Sequence, residues 1–325
     1  MRPADSDDSL PDPWAPAPAP AGLDDALADL DGIEIRPLAT LPELKACVAL
    51  QRATWGDGFS EIVPLTLLKV CQRIGGVSAG AFDTEGELVG FVFGMTGIDD
   101  DGSLVHWSDM LAVRPDHRDR GLGRRLKEYQ RSRMRARGVR SILWTFDPLV
   151  ARNAHLNVTR LGARIVDYVP DMYGETDSPL HRGTGTDRFI VSWALDPPPA
   201  PSAEVRDPSR ENGDRDAPQS GGGDGWVEPL LVNPSPDDAS SRLAEVGPDT
   251  PLVAIQIPAD ILAVQRASLD EAAAWRRSTR AAFLRLREMG YEVVGFQRDP
   301  ERCRYLLAPS PRPGPDTGPV QEGSS

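Results

Sequence analysis

Residues Val105–Leu126, VHWSDMLAVRPDHRDRGLGRRL, pass from an extended run into a glycine-bearing turn and on into a helix-forming segment. Strand, turn and helix N-terminus in succession make an anion site. The first N–H groups of a helix lack internal partners, and the helix dipole adds positive potential at that end. Gly121 and Gly123 let the backbone approach a phosphate with no Cβ in the way. Arg118, Arg120, Arg124 and Arg125 set guanidinium donors around the turn. Two familiar phosphate loops are excluded, because neither G-x-x-x-x-G-K-[ST] nor a strand followed by G-x-G-x-x-G occurs here.

What stands instead is Arg118-x-x-Gly121-x-Gly123, preceded by Leu111-Ala112-Val113 and Pro115. This resembles the acyl-CoA signature of the GNAT superfamily of N-acyltransferases, whose R/Q-x-x-G-x-G/A turn cradles the CoA pyrophosphate. A second segment, Arg152 to Ala163, resembles that family's N-x-x-A-x-x-L-Y-x-x-x-G-F helix and strand start. The resemblance spans about 33–195 and implies a mixed-sheet α/β fold whose central strands, Leu104–Val113 and Val139–Phe146, splay apart to admit pantetheine. It assigns Leu111, Ala112 and Val113 to pantetheine. Arg118, Asp119, Arg120, Gly121, Leu122, Gly123 and Arg124 go to the pyrophosphate, and Asn153, beside Arg152, to the cofactor. One family residue is missing: Val158 falls where many members place the tyrosine that protonates the departing thiolate. Members near this branch are linked to amino-acid acylation, succinyl transfer included.

Composition limits the alternatives. At 325 residues the chain has room for two domains. A net charge of −13 argues against general binding to nucleic acid or anionic membrane, so the basic run from Arg114 to Arg140 is a local feature. Cys47, Cys71 and Cys303 are odd in number and without C-x-x-C spacing, and the four histidines form no H-x-x-x-H pair, so no metal is expected. There is no signal-like N-terminus and no membrane-length apolar run, so a cytoplasmic location is expected.

Along the chain, 1–31 reads as a disordered acidic, Pro/Ala-rich tail, 32–196 as the acyltransferase domain, and 197–226 as a Pro/Gly-rich linker. Residues 227–309 read as a smaller α/β region, and 310–325 as a disordered tail. Strands are expected at 33–38, 77–82, 88–95, 104–113, 139–146, 163–168 and 188–193, and helices at 41–55, 64–74 and 122–137. In the last of these helices Leu122, Leu126, Tyr129 and Met134 share a stripe, with the arginines on the remaining faces. Asp99-Asp100-Asp101-Gly102 reads as a solvated turn, since the spacing of a calcium loop is absent. In the C-terminal region Val253–Ile257 reads as a strand. Ser268-Leu269-Asp270-Glu271 opens a helix reaching Met289, and strands follow at 291–296 and 304–307.

The chemistry needs a held donor, a neutral amine and N–H groups for the oxyanion. Asp109 is the candidate base: by alternation it shares a face with Trp107 and Leu111, whereas a bulge would turn His106 or Ser108 inward. The long polar connection 171–187 and the first two helices would frame the acceptor. Tyr173, His181 and Arg182 are its most chemically capable residues, and Arg182 and Arg188 are suited to a substrate carboxylate. The expected function is N-acetyl or N-acyl transfer from acetyl-CoA, or a relative such as succinyl-CoA, to a small primary amine such as an amino acid. No nucleic acid or membrane partner is expected, and a homodimer is allowed. The other readings are a catalytically silent CoA sensor and, through the basic helix, a nucleic-acid binder whose affinity would fall steeply with salt.

Overall fold

The computed structural model describes residues 32–174, 184–195, 227–236, 242–300 and 302–310. The expectations for the N-terminal tail, the linker, most of the C-terminal tail, His181 and Arg182 lie outside these residues.

In chain order the elements are β1 (Glu34–Pro37), α1 (Leu41–Trp55), α2 (Leu65–Arg73), β2 (Val77–Phe82), β3 (Leu88–Ile98), β4 (Leu104–Val113), α3 (Leu122–Arg135) and β5 (Ser141–Phe146). Then come α4 (Ala151–Ala154), continued by a π-helical stretch (His155–Arg160), β6 (Arg164–Val169) and β7 (Arg188–Ala194). The C-terminal part adds β8 (Leu230–Leu231), β9 (Val253–Pro258), α5 (Ile261–Ala267), α6 (Leu269–Glu288), β10 (Tyr291–Gln297) and β11 (Arg302–Pro309). The strands form a seven-stranded sheet in the order β1-β2-β3-β4-β5-β7-β6 and a four-stranded sheet in the order β10-β11-β9-β8. The expected mixed α/β class is what is found. Among the described residues one compact unit holds 32–145 and 190–195, and a second holds 146–174, 184–189 and everything from 227 onward.

In the first unit, α1 starts where Thr40 and Glu43 cap each other. Thr40 Oγ1 accepts from Glu43 N–H at 3.4 Å, and the Glu43 carboxylate accepts from the N–H groups of Ala39 and Thr40 at 2.7 and 3.1 Å. Its buried row, Leu44, Cys47 and Leu50, joins Leu68 and Cys71 of α2 over Phe91, Phe93, Met110 and Ala112 of the sheet. Helix α3 covers the opposite face. Its apolar stripe is the expected one, Leu122, Leu126, Tyr129 and Met134, but Lys127, Gln130 and Arg133 are buried as well. The reading that the arginines keep to the remaining faces of α3 is therefore corrected at Arg133, which is buried. Gly123, Lys127, Gln130 and Met134 follow one another at helical spacing, and that row meets β4 and β5.

The β3–β4 ladder carries a bulge: Phe93 pairs with Met110 and Gly94 with Ser108, so Asp109 is the extra residue. Gly94 is required beside it, because a Cβ there would stand 2.3 Å from His106 Nε2 and 2.7 Å from the Trp107 carbonyl oxygen.

In the second unit, β9, β10 and β11 pair antiparallel and β8 adds a parallel edge. Ser268 Oγ caps α6 by accepting from Glu271 N–H at 3.2 Å, as its sequence predicts. An aromatic group of Tyr168, Phe189, Phe283 and Tyr305 has ring centroids 4.7 to 5.4 Å apart. Beside it Arg276 grips Asp147 with two guanidinium hydrogen bonds, 2.9 and 2.6 Å, and donates a third at 2.8 Å to the Thr184 carbonyl. Arg280 holds Asp171 at 2.8 Å and also pairs with Asp187, which accepts from the Tyr168 hydroxyl. Burial alone would raise the Asp147 carboxyl, but the charge and hydrogen bonds of Arg276, with Arg188, hold it below the ordinary range. Removing one partner strands the other charge, so Arg276→Met should cost ~3–5 kcal/mol in a thermal melt at neutral pH. Because the folded pKa is the lower one, this contribution is present above the unfolded value of about 4 and disappears as pH falls through the folded value. The gap between wild type and Arg276→Met should therefore close in acid, and a gap that persists unchanged there would contradict the assignment.

Candidate active site

Strands β4 and β5 run parallel and pair at only three positions, Val105 with Ser141, His106 with Ile142 and Trp107 with Leu143. Beyond these, β4 continues to Val113 with no β5 partner, while its other edge stays bonded to β3 through Leu111, Ala112 and Val113. The result is a wedge, open at the C-terminal end of β4 and closed at Ser108 and Trp144. A backbone edge left unpaired in this way is the natural partner of an amide-bearing chain.

At the open end, Pro115–His117 form a single 3-10 turn and Arg118 Nε donates to the Val113 carbonyl at 2.9 Å, tying the turn to the strand. Asp119 takes a left-handed conformation at φ 61°. Gly121, at φ 76°, is the N-cap of α3, with no side chain capping the helix and open space where its Cβ would lie. The free N–H groups of the first turn therefore point at an open, positively biased site. Arg120 and Arg124 are exposed beside it, Arg118 is half-buried, and Leu122 is buried, leaving only its backbone for a ligand. Gly123 lies with its would-be Cβ 3.6 Å from Leu111 Cδ2, packing the helix start against β4. These groups suit a pyrophosphate at the turn and a pantetheine arm along β4.

The bulge settles which way the residues of β4 face. Leu111 points to α3, as does Ser108, whose Oγ accepts from Lys127 Nζ at 2.7 Å. Asp109 stays on the α1–α2 side with Trp107, whose side chain hydrogen-bonds to it; burial first, and then the Asp109 charge, raises the Cys71 thiol in α2. The expectation that Asp109 shares a face with Leu111 is corrected: the extra residue moves Leu111 across the sheet and leaves Asp109 with Trp107. His106 and Ser108 do not turn toward α1 and α2. Asp109 is an exposed residue whose carboxyl is nonetheless raised. Loss of hydration raises it first, the Trp107 hydrogen bond opposes this, and the charge of Glu61 adds to it. Glu61 sits between Ser60 and Ile62, which with Lys45, Arg52, Phe59 and Leu65 line a groove of about 420 Å³ at α1 and α2.

Residues 50–162 match the model of the acetyltransferase (GNAT) family. The chain carries a GNAT acetyltransferase domain. That match supports a transferase. No curated protein matches the chain. Solved structures that resemble part of it include the NatC complex bound to Gag peptide and CoA, at 18% identity and TM-score 0.40, covering 50% of this chain and 99% of that one. NAA60 of Arabidopsis thaliana with acetyl-CoA is 17% identical at TM-score 0.41, covering 50% and 99%. The ribosomal-protein-S18-alanine N-acetyltransferase of Escherichia coli is 18% identical at TM-score 0.39, covering 54% and 99%.

The remaining expected site residues of the GNAT domain belong to the second unit. Asn153 is half-buried in α4, and Val158 lies in the π-helical stretch that follows. Arg188 is buried, donates to the Asp187 carbonyl at 2.9 Å, stands 3.9 Å from Asp147 and lies over the Tyr173 ring at 5.1 Å. Sequence reasoning missed Lys127 and Trp144, which meet at the closed end of the wedge. The signal was the helical row that Lys127 shares with Gly123 and Met134. Among the described residues no group of acidic, histidine or cysteine side chains could hold a metal, and no helix is long and apolar enough to cross a membrane.

Proposed function

We propose that this acetyltransferase moves an acyl group from acetyl-CoA, or a relative such as succinyl-CoA, onto the primary amine of a small carboxylate-bearing acceptor such as an amino acid. Transfer is by direct attack within a ternary complex. Acyl-CoA supplies an activated thioester, and the chain supplies the rest. The open edge of β4 at Leu111, Ala112 and Val113 would hold pantetheine, and the turn from Arg118 to Arg124 the pyrophosphate. Unpaired N–H groups of that edge are suited to an oxyanion. Asp109 would take a proton from the incoming ammonium, and its raised carboxyl makes it a stronger base than an ordinary aspartate.

The observation that carries the acceptor class is the composition of the α1–α2 groove. Basic Lys45 and Arg52 line it, which suits a carboxylate, and Glu61, whose charge reaches Asp109, adjoins the lining residues Ser60 and Ile62, which suits an amine nearby. Arg188, engaged with Asp147, is not assigned to the acceptor; Tyr173 keeps that assignment only as the ring beneath which Arg188 is held.

Two measurements test the reading. Millimolar CoA should raise the melting temperature, since a ligand at a hundred times its Kd adds ~2.7 kcal/mol; absence of any shift would remove the CoA assignment. A thiol-release screen of amino acids, polyamines and peptides against acetyl- and succinyl-CoA should give turnover with amino acids. Turnover of basic peptides alone would replace the acceptor class. Firm CoA binding with no turnover would favour a silent CoA sensor, the reading that Val158 in place of a tyrosine supports.

A further inference from the structure

Of the chain's 36 basic residues only Lys45, Lys69 and Lys127 are lysines, and one of the three is buried at the closed end of the wedge. Lys127 reaches from α3 to the first residues of β4 and β5 beyond their last pair. Its Nζ donates to Ser108 Oγ at 2.7 Å and lies 4.0 Å from the centroid of the Trp144 ring. Among the described residues no carboxylate pairs with it. A buried ammonium with one hydroxyl, one aromatic face and no counter-ion is costly, and a group that arrives carrying negative charge would relieve it. Resting on the CoA reading, the group that fits is the thioester sulfur. A thioester arm anchored at Arg118–Gly123 and laid along β4 would run the five residue steps from Val113 to Ser108, ~17 Å of strand, and would bring its sulfur end toward this apex.

We propose that Lys127 is the proton donor to the departing CoA sulfur. The acceptor nitrogen bonds to the thioester carbonyl carbon, the C–S bond breaks with its electron pair going to sulfur, and sulfur takes a proton from Lys127 Nζ. The proton released by the acceptor nitrogen through Asp109 and solvent restores the ammonium, so the products are amide and free thiol. This gives the chain an acid on α3 where Val158 supplies none. Arginine, abundant here, could not serve, because it does not give up its proton.

Burial alone brings the Lys127 ammonium down to about 7, below a thiol's usual ~8.5, so transfer to a thiolate runs downhill. The titratable group on the adjoining strand is His106. Burial first, and then the charges of Lys127 and Arg137, lower it to about 3, so it stays neutral. It is held between Thr96 Oγ1 at 2.9 Å and Gln130 Nε2 at 3.0 Å. The 141–146 segment of β5 contains no titratable residue, Asp109 lies on the other face of β4, and on α3 itself the neighbouring charges are Arg124, Glu128 and Arg131.

The test uses the full chain with 15N-lysine. With three lysines, the Lys127 signal is identified by its loss in Lys127→Met, and its titration midpoint is followed with CoA and with desulfo-CoA, which lacks the sulfur. A midpoint moved by CoA but not by desulfo-CoA supports contact with the sulfur; equal midpoints overturn the proposal. In kinetics, Lys127→Met should lower kcat ~10²–10⁴-fold with little change in KM for acetyl-CoA. The deficit should shrink with acyl donors whose thiols are more acidic, whereas a uniform deficit would mean a structural role and overturn the proposal. Lys127→Gln serves if the methionine variant is unstable, and the wild-type titration needs no variant. If neither CoA nor desulfo-CoA binds wild-type protein, the CoA reading itself fails and this proposal with it.

Discussion

Asp109→Asn is expected to lower the acyl-transfer rate ~10²–10⁴-fold at neutral pH while CoA binds as before. The substitution keeps size and the capacity to accept from Trp107, but removes the group that takes the proton of the acceptor ammonium. A free amine is almost fully protonated at neutral pH, so without a base only the small neutral fraction reacts. The deficit should narrow as pH rises toward the acceptor's own pKa, because neutral amine then forms without help. On the acid side, wild-type activity should fall as pH drops through the Asp109 pKa, which lies above the ordinary aspartate value, and this limb should vanish in the variant. Stability should move the other way. A carboxyl whose folded pKa is raised disfavours the folded state once ionised, a penalty present above that folded value and lost in acid. Asp109→Asn should therefore melt no lower than wild type at neutral pH. A variant with wild-type rate across the whole pH range would eliminate Asp109 as the base.

Gly121→Asp should abolish the CoA-dependent rise in melting temperature. Gly121 has φ 76°, and a Cβ placed there meets nothing within 4 Å, so the new carboxylate would project into the space in front of the uncapped α3 N-terminus. There it would take the anion's place as an N-cap and repel the pyrophosphate. Backbone strain is a smaller matter, since Asp and Asn enter the left-handed region more readily than other residues. Gly121→Asn separates the two effects: it shares the size and the conformation but not the charge, and it should retain part of the shift. Gly123→Asp should act like Gly121→Asp, with some loss of packing against Leu111. If Gly121→Asp bound CoA as tightly as wild type, the turn would not be the pyrophosphate site.

The turn and its helix were legible in the sequence because their properties are local. Glycine at 121 and 123, the arginines around them and the apolar row of α3 act within one turn and one helix, and they form the elements observed. The cap at Ser268 was of the same kind, its hydroxyl accepting from a backbone N–H three residues on. Helix α5 was not foreseen. It is only seven residues long, begins at the Asp260 cap and ends at Ser268, the residue that starts α6, so the stronger signal of the second helix absorbed the first. The facing of β4 was beyond the sequence, because alternation holds only while the ladder is regular. The extra residue at 109 is defined by its β3 partners and by the glycine at 94 that makes room for His106. Arg188 carried the charge suited to a substrate carboxylate, but only tertiary packing showed that Asp147 already claims it. Lys127 shows the same division most plainly. Helical spacing puts it in one row with Gly123 and Met134, but it becomes a buried cation because β4 and β5 part at Ser108 and Trp144, and that parting is a property of the assembled sheet.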